Sequence, residues 1–177
     1  MAEIRELYPN LFQKAIWGKI ELEFRMDLPE SHLISNVNIV PFVNNECVVI
    51  RLENGQWEIP GGTLEKGEYY LDTIKRELIE EAGATLHSFH PFGGWKCYSH
   101  HLQPYKPHLP HPEFYRIVGY GEVQLVSLPQ IPADGEKVVA VESMSVQDAV
   151  NKFQQVGRND LAELYQLAKT IRNSSAK

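Results

Sequence analysis

The sequence predicts a mixed α/β chain of the α+β kind, and three observations carry that prediction. Stretches with strand periodicity, near 19–26, 35–43, 47–52, 89–98 and 114–125, are divided by turns and loops rich in glycine, asparagine and proline. One amphipathic helical stretch, 69–82, sits among them and is bracketed by glycines. Two more helical stretches, opening near Ser145 and Asn159, close the chain. A length of 177 residues, 43% hydrophobic and 23% charged, fits one domain, 1–177, with a core of its own.

Taken in order, residues 1–15 carry little signal beyond a short N-terminal helix or arm. Ile20, Leu22, Phe24 and Met26 alternate with Lys19, Glu21, Glu23 and Arg25, the period of a strand with one dry face. Ser35 to Val43 and the apolar run Cys47 to Leu52 form a hairpin through Asn44-Asn45. Glu53-Asn54-Gly55 turns the chain into a short strand, Gln56 to Ile59, that delivers it to Pro60-Gly61-Gly62. Beyond Gly83 come strands near Phe89 to Tyr98 and Phe114 to Leu125, separated by residues 100–113. That segment holds four histidines and four prolines and reads as a long surface loop overhanging a site, not as a metal centre. Lys137 to Val141 reads as a strand, and Ser145 with Asp148 opens a helix to about Phe153. The last helix places Leu161, Leu164, Tyr165, Ala168 and Ile171 on one face, which packs on the domain, with a homodimer as its other use. Residues 173–177 are expected to fray.

Composition excludes several classes. No apolar run approaches the roughly 20 residues of a membrane helix. The N-terminal Met1-Ala-Glu-Ile-Arg-Glu lacks the basic-then-apolar order of a signal peptide, so a cytoplasmic protein without membrane partners is expected. Cys47 and Cys97 lie in apolar contexts and read as buried thiols. A net charge of −6 argues against polymeric nucleic acid as a partner. It leaves phosphate substrates open, because carboxylates can hold phosphate through divalent cations.

The chemistry concentrates in Gly62 to Ala84. On a helix advancing about 100° per residue, Glu80 and Glu81 fall roughly 60° and 40° to either side of Glu77. Leu71, Ile74, Leu78 and Ala82 occupy the adjoining face. Like charges this close repel, and Arg76 supplies a single counter-charge. Dense hard oxygen donors suit Mg²⁺ or Mn²⁺, ions that neutralise phosphate oxygens and acidify a bound water. Three glutamates alone would sooner suit a merely acidic helix surface.

The spacing of the whole stretch narrows the choice. Gly62, five residues, Glu68, seven residues, Arg76-Glu77-Leu78, one residue, Glu80-Glu81, one residue, Gly83-Ala84 resembles the Nudix box of the MutT-type Nudix hydrolases, and Trp57-Glu-Ile-Pro-Gly-Gly62 resembles its lead-in. The resemblance implies a mixed sheet sandwiched between helices, α/β/α. It implies a hydrolase that cleaves the diphosphate bond of a nucleoside diphosphate linked to another moiety, such as a nucleoside triphosphate or nucleotide sugar. It makes Glu77, Glu80 and Glu81 ligands of Mg²⁺ or Mn²⁺, with the Gly61 carbonyl as a further ligand and Glu77 as candidate general base. Arg76 would orient a neighbouring glutamate, and Glu68 would brace the helix start and reach the metal shell. An acidic ligand beyond the box is assigned to Glu136, with Glu122 and Asp134 behind it. Two positions depart from the pattern: Tyr69 stands where a small hydroxyl residue often caps the helix, leaving that end to Asp72 or water, and Ala84 is small for the closing apolar position. A Nudix domain that binds a nucleotide-like ligand without turnover is the alternative.

The small-molecule substrate is less well marked. Ser99, His100 and His101 stand where the ADP-ribose and dinucleoside-polyphosphate branches of that family tend to carry a proline or a tyrosine. Base-stacking candidates are Trp95, Tyr98, Tyr105, Phe114 and Tyr115, and phosphate-contact candidates are Arg51 and Arg116.

Overall fold

The structure, a computed structural model, describes residues 2–133, 135 and 137–175. The chain opens with α1 (Ala2–Leu7) and α2 (Pro9–Phe12), then β1 (Ala15–Trp17), β2 (Ile20–Arg25), β3 (Ile34–Val43), β4 (Glu46–Leu52), β5 (Trp57–Glu58) and β6 (Gly61–Thr63). After α3 (Tyr70–Glu77) and a π-helical turn, Leu78–Ala82, come β7 (Ala84–Leu86), β8 (His90–Ser99), β9 (Glu113–Leu125) and β10 (Val138–Met144). Helices α4 (Val146–Gln155) and α5 (Asn159–Ser175) follow.

The sheet runs β1-β2-β8-β9-β3-β4-β10, with β5 on β4, β6 on β3 and β7 on β9. It is mixed, because β3 and β9 pair in parallel and the other pairs are antiparallel. Alternation then splits β3 between two cores. Val37 and Ile39 face a layer with Val48, Ile50 and Ile117 that receives Ile74, Leu78 and Ala82 from the α3 segment. Val40 and Phe42 face the opposite layer, where Ala149, Phe153, Leu161, Leu164 and Tyr165 of α4 and α5 pack. Helices on both faces of a mixed sheet are the expected sandwich.

Local chemistry sets several boundaries. Ser145 Oγ accepts the Asp148 amide at 3.1 Å and caps α4. Gly83 ends the π turn with φ +59°, where an added Cβ would strike the Ser127 carbonyl. Its own carbonyl accepts Val126 N at 2.8 Å and Ser127 N at 3.0 Å, fastening β7 beside the end of β9. The fully buried Tyr165 donates its hydroxyl to the Val48 carbonyl at 2.9 Å, joining α5 to β4. Tyr165→Phe removes that bond while keeping the ring, and a loss of about 1–2 kcal/mol in urea unfolding is expected.

Several boundaries differ from expectation. The helix is not α throughout: its last turn widens to i→i+5, so the 100° advance does not extend through Glu80 and Glu81. Tyr69 lacks a side-chain cap, and Asp72 is not one, since only its amide bonds to the Tyr69 carbonyl, at 2.9 Å. Helix α5 continues through 173–175 instead of fraying, because Ile171 packs against the core and Ser174 and Ser175 bond back to Thr170 and Ile171 carbonyls at 2.9 and 3.1 Å. Residues 176–177 lie outside the described residues. Strands β1 and β7 are too short for a periodicity reading. Among the described residues, no helix is long and apolar enough to cross a membrane.

Candidate active site

Strand β6 lies antiparallel on β3, with Asn38 opposite Gly61 and Asn36 opposite Thr63. Gly61 has φ +148°, and a Cβ there would run into the Val37 carbonyl and Asn38. A Cβ on Gly62 would fall on the Glu77 carboxylate. The two glycines therefore let a strand lie directly against the acidic helix end. The contact is sealed by Glu81, whose Oε2 accepts the Gly61 amide at 2.9 Å.

Arg76 is the hub of the cluster. Its Nε and Nη2 form a fork on Glu68, at 2.9 and 3.0 Å, while Nη1 reaches Glu77 at 2.7 Å and Glu80 at 3.3 Å. Nη2 also donates to the Thr63 carbonyl at 3.2 Å, which ties the helix to β6. Glu68 accepts two more bonds, from Glu65 N and Thr73 Oγ1, both at 2.8 Å. The Arg76 hydrogen bonds hold the Glu68 carboxyl down at about 2. Glu77 moves the other way: burial, with the neighbouring charges of Glu80 and Glu68, raises it against the pull of Arg76.

These opposite shifts have a pH consequence. A carboxyl depressed in the folded state stabilises the fold above its unfolded pKa, and that contribution fades as pH falls from about 4.5 toward about 2. Discounted for its solvent-facing side, the Glu68 ion pair is expected to contribute about 1–2 kcal/mol at pH 7. Urea unfolding of wild type and Glu68→Gln should show a gap of that size at neutral pH that closes below pH 4.5. A gap independent of pH would refute the assignment.

Two cavities open on the sheet face that carries Asn36, Asn38 and Arg116. One of about 570 Å³ is walled by Gly61, Glu81, Asn38, Glu58, Trp95 and Arg158. The other, of about 820 Å³, lies beneath the 100–113 loop and includes Asn36, Thr63, Tyr105 and Phe114. Trp17, Leu22, Cys97 and Arg116 border both. The loop is strapped beside the helix start: Lys106 pairs with Glu65 at 2.7 Å and His108 Nε2 donates to the Leu64 carbonyl at 2.9 Å.

The fold thus brings Glu68, Arg76, Glu77, Glu80, Glu81 and Gly61 together, with Trp95, Tyr105, Phe114 and Arg116 along the adjoining cavities. Three other nominated residues line neither cavity. Arg51 stacks over Trp57, Tyr98 is exposed against His100, and Tyr115 is buried in the α3-side core. Glu122 is bonded to Arg172 at 2.7 Å, and Glu136 and Asp134 lie outside the described residues. Sequence reasoning passed over Trp17, Asn36, Asn38 and the Arg158 cluster, in which Arg158 pairs with Glu58 and, at 3.0 Å, with Asp160. The asparagines were visible as polar residues at alternate positions of a strand whose one other polar residue is Ser35.

Among the described residues, no three carboxylate, imidazole or thiol groups converge on one point at coordinating distance. Glu77 and Glu80 turn to Arg76, and Glu81 to Gly61. The donor set nonetheless fits a hard divalent cation: three carboxylates gather at one helix end, beside a glycine pair that admits no side chain.

A family model described as NUDIX domain matches residues 32–167. Over 34 residues the chain is 50% identical to putative nudix hydrolase 6 of Caenorhabditis elegans, a match covering 19% of this chain and only 13% of that protein. Among solved structures, a Bacillus subtilis pyrophosphohydrolase aligns with a TM-score of 0.53 at 19% identity, covering 71% of this chain and 72% of its own. A NUDIX hydrolase from Nitrosomonas europaea gives 0.53 at 18% identity, covering 78% and 89%. At such identities the structural likenesses speak for the fold alone. The family model spans well over half of the sequence and contains the glycine pair, Arg76 and all four box glutamates, and the chain belongs to the Nudix hydrolase family.

Proposed function

We propose that the chain is a divalent-metal-dependent hydrolase that cleaves the diphosphate bond of a nucleoside diphosphate linked to another moiety. The observation that carries this reading is the join between Glu81 and Gly61: it brings the acidic helix end to the wall of a cavity large enough for a ligand. Glu77, Glu80, Glu81 and the Gly61 carbonyl would hold Mg²⁺ or Mn²⁺. When bound, the cation supplies positive charge to the phosphate oxygens and makes a coordinated water more acidic.

The chain's own groups do the rest. Glu77, its pKa raised by burial, is the candidate base for the proton of the attacking water. Arg76 orients Glu77 and Glu80 from one nitrogen while its other edge stays forked on Glu68, so the carboxylates keep their places before substrate arrives. The strapped 100–113 loop and the Trp17 side enclose the organic part of the substrate. Release of nucleotide or phosphate from a panel of nucleoside triphosphates, nucleotide sugars and dinucleotides, with Mg²⁺ and with EDTA, tests the reading. Metal-dependent turnover of one class is expected. Tight binding without turnover of any class would replace the hydrolase with a ligand-binding module.

A further inference from the structure

Arg116 has no part in the chemistry above. It stands on β9, opposite Trp95 of β8 and Asn36 of β3, and lines both cavities where they meet. Other enclosed arginines have carboxylates: Arg76 has Glu68 and Glu77, Arg158 has Glu58 and Asp160, and Arg172 has Glu122. Arg116 Nε is shut from solvent with no hydrogen-bond partner among the described residues. Its guanidinium lies 5.4 Å from the centroid of the Trp17 ring. Burial lowers its pKa, and the one carboxylate among the described residues that opposes this, Glu58, is already engaged by Arg158. A guanidinium is planar and rigid and keeps its charge, so an enclosed one without a counter-ion is prepared for an anion from outside.

The surroundings narrow that anion. The larger cavity has Trp17, Leu22, Tyr105 and Phe114 as apolar surface, and Arg116 is its one arginine or lysine among the described residues. It suits a flat or apolar body bearing one phosphate and not a polyphosphate chain. In the sheet, Arg116 is separated from β6 by β3 alone, two strand spacings or roughly 10 Å, and Gly61 stands two residues further along, opposite Asn38 where Arg116 is opposite Asn36, which makes the diagonal about 12 Å. A diphosphate with the long arginine side chain covers that span.

We infer that Arg116 is the specificity-determining residue that binds the phosphate next to the organic group in the larger cavity, so that a nucleoside monophosphate half of the substrate is held without any divalent cation. This deepens the hydrolase reading and rests on it for the other half of the substrate.

Calorimetric titration of the full chain in EDTA tests it, with AMP, GMP, CMP and UMP and the corresponding nucleosides as probes. Wild type is expected to bind at least one nucleotide, and its nucleoside about tenfold to a hundredfold more weakly. Arg116→Met should lose that preference, Arg116→Lys should keep part of it, and the Tm of Arg116→Met should equal or exceed that of wild type. Equal nucleotide binding by wild type and Arg116→Met, or no nucleotide binding in EDTA at all, overturns the inference. So does a lowered Tm in Arg116→Met, which would make Arg116 a structural cation under Trp17. Nucleotide binding that depends on Arg116 in a protein without turnover would sink the hydrolase reading and leave this site standing.

Discussion

Glu81→Gln is expected to lower kcat by about 10³-fold or more at saturating Mg²⁺, with Tm within about 2 °C of wild type. The two halves of that expectation come from the same bond. Glu81 Oε2 accepts the Gly61 amide at 2.9 Å, and glutamine keeps an oxygen of the same reach for that N–H. The glycine strand should therefore stay in place. What glutamine lacks is the negative charge, and a divalent cation beside a diphosphate is held chiefly by charge. A loss of about 4 kcal/mol of transition-state stabilisation corresponds to the thousandfold effect. Steady-state kinetics across a Mg²⁺ series, with circular dichroism and thermal melts of the same samples, separate the two halves. A kcat within tenfold of wild type would remove Glu81 from the metal set. A collapsed Tm would show that the bond to Gly61 needs the charge.

Much of this arrangement was legible in the residues, for reasons that differ from place to place. Helix α3 could be read because Ile74, Leu78 and Ala82 repeat at helical spacing and glycines bracket the run. Its π turn could not, because nothing in the residue pattern separates i→i+5 from i→i+4 closure, and the bonds that fasten its end, Val126 N and Ser127 N to the Gly83 carbonyl, come from far along the chain. Helix α4 announced itself through Ser145 and Asp148, a local hydrogen bond that the sequence encodes directly. The cleft was harder. Arg51, Tyr98 and Tyr115 have the chemistry of ligand contacts, yet residue type cannot say to which face of a sheet a side chain turns. Tyr115 and Arg116 are neighbours on one strand, and alternation sends the first into the α3-side core and the second to the cavities. Trp17 was missed because β1 spans three residues, and its value comes from Arg116, 99 positions later in the chain. Arg158, in the turn between α4 and α5, likewise meets Glu58 across 100 positions of the chain.

Arg76→Met should destabilise the fold by about 2–4 kcal/mol in EDTA, and by visibly less with Mg²⁺ present. In the wild type, one guanidinium satisfies the fork on Glu68, bonds Glu77 and Glu80, and ties the helix to the Thr63 carbonyl. Methionine fills a comparable volume but returns none of those bonds. Glu77, already raised by burial and by Glu80, would lose the attraction that opposes both. The repulsion falls on the short turn that carries Glu80 and Glu81, so the helix end should loosen before the sheet does. A divalent cation that binds these carboxylates would replace part of the missing charge, which is why the deficit should shrink as Mg²⁺ is added. Acid should shrink it too, as the carboxylates that lack a partner become neutral. Arg76→Lys should recover little, since a single ammonium cannot fork on Glu68 and reach Glu77 together. Urea unfolding of the three proteins in EDTA and in Mg²⁺, at pH 7 and near pH 4.5, gives the comparison. If the Arg76→Met deficit were the same in EDTA and in Mg²⁺, the carboxylates around Arg76 would not be the groups that take the metal. The cluster would then be a structural ion-pair network, with Arg76 as its permanent cation.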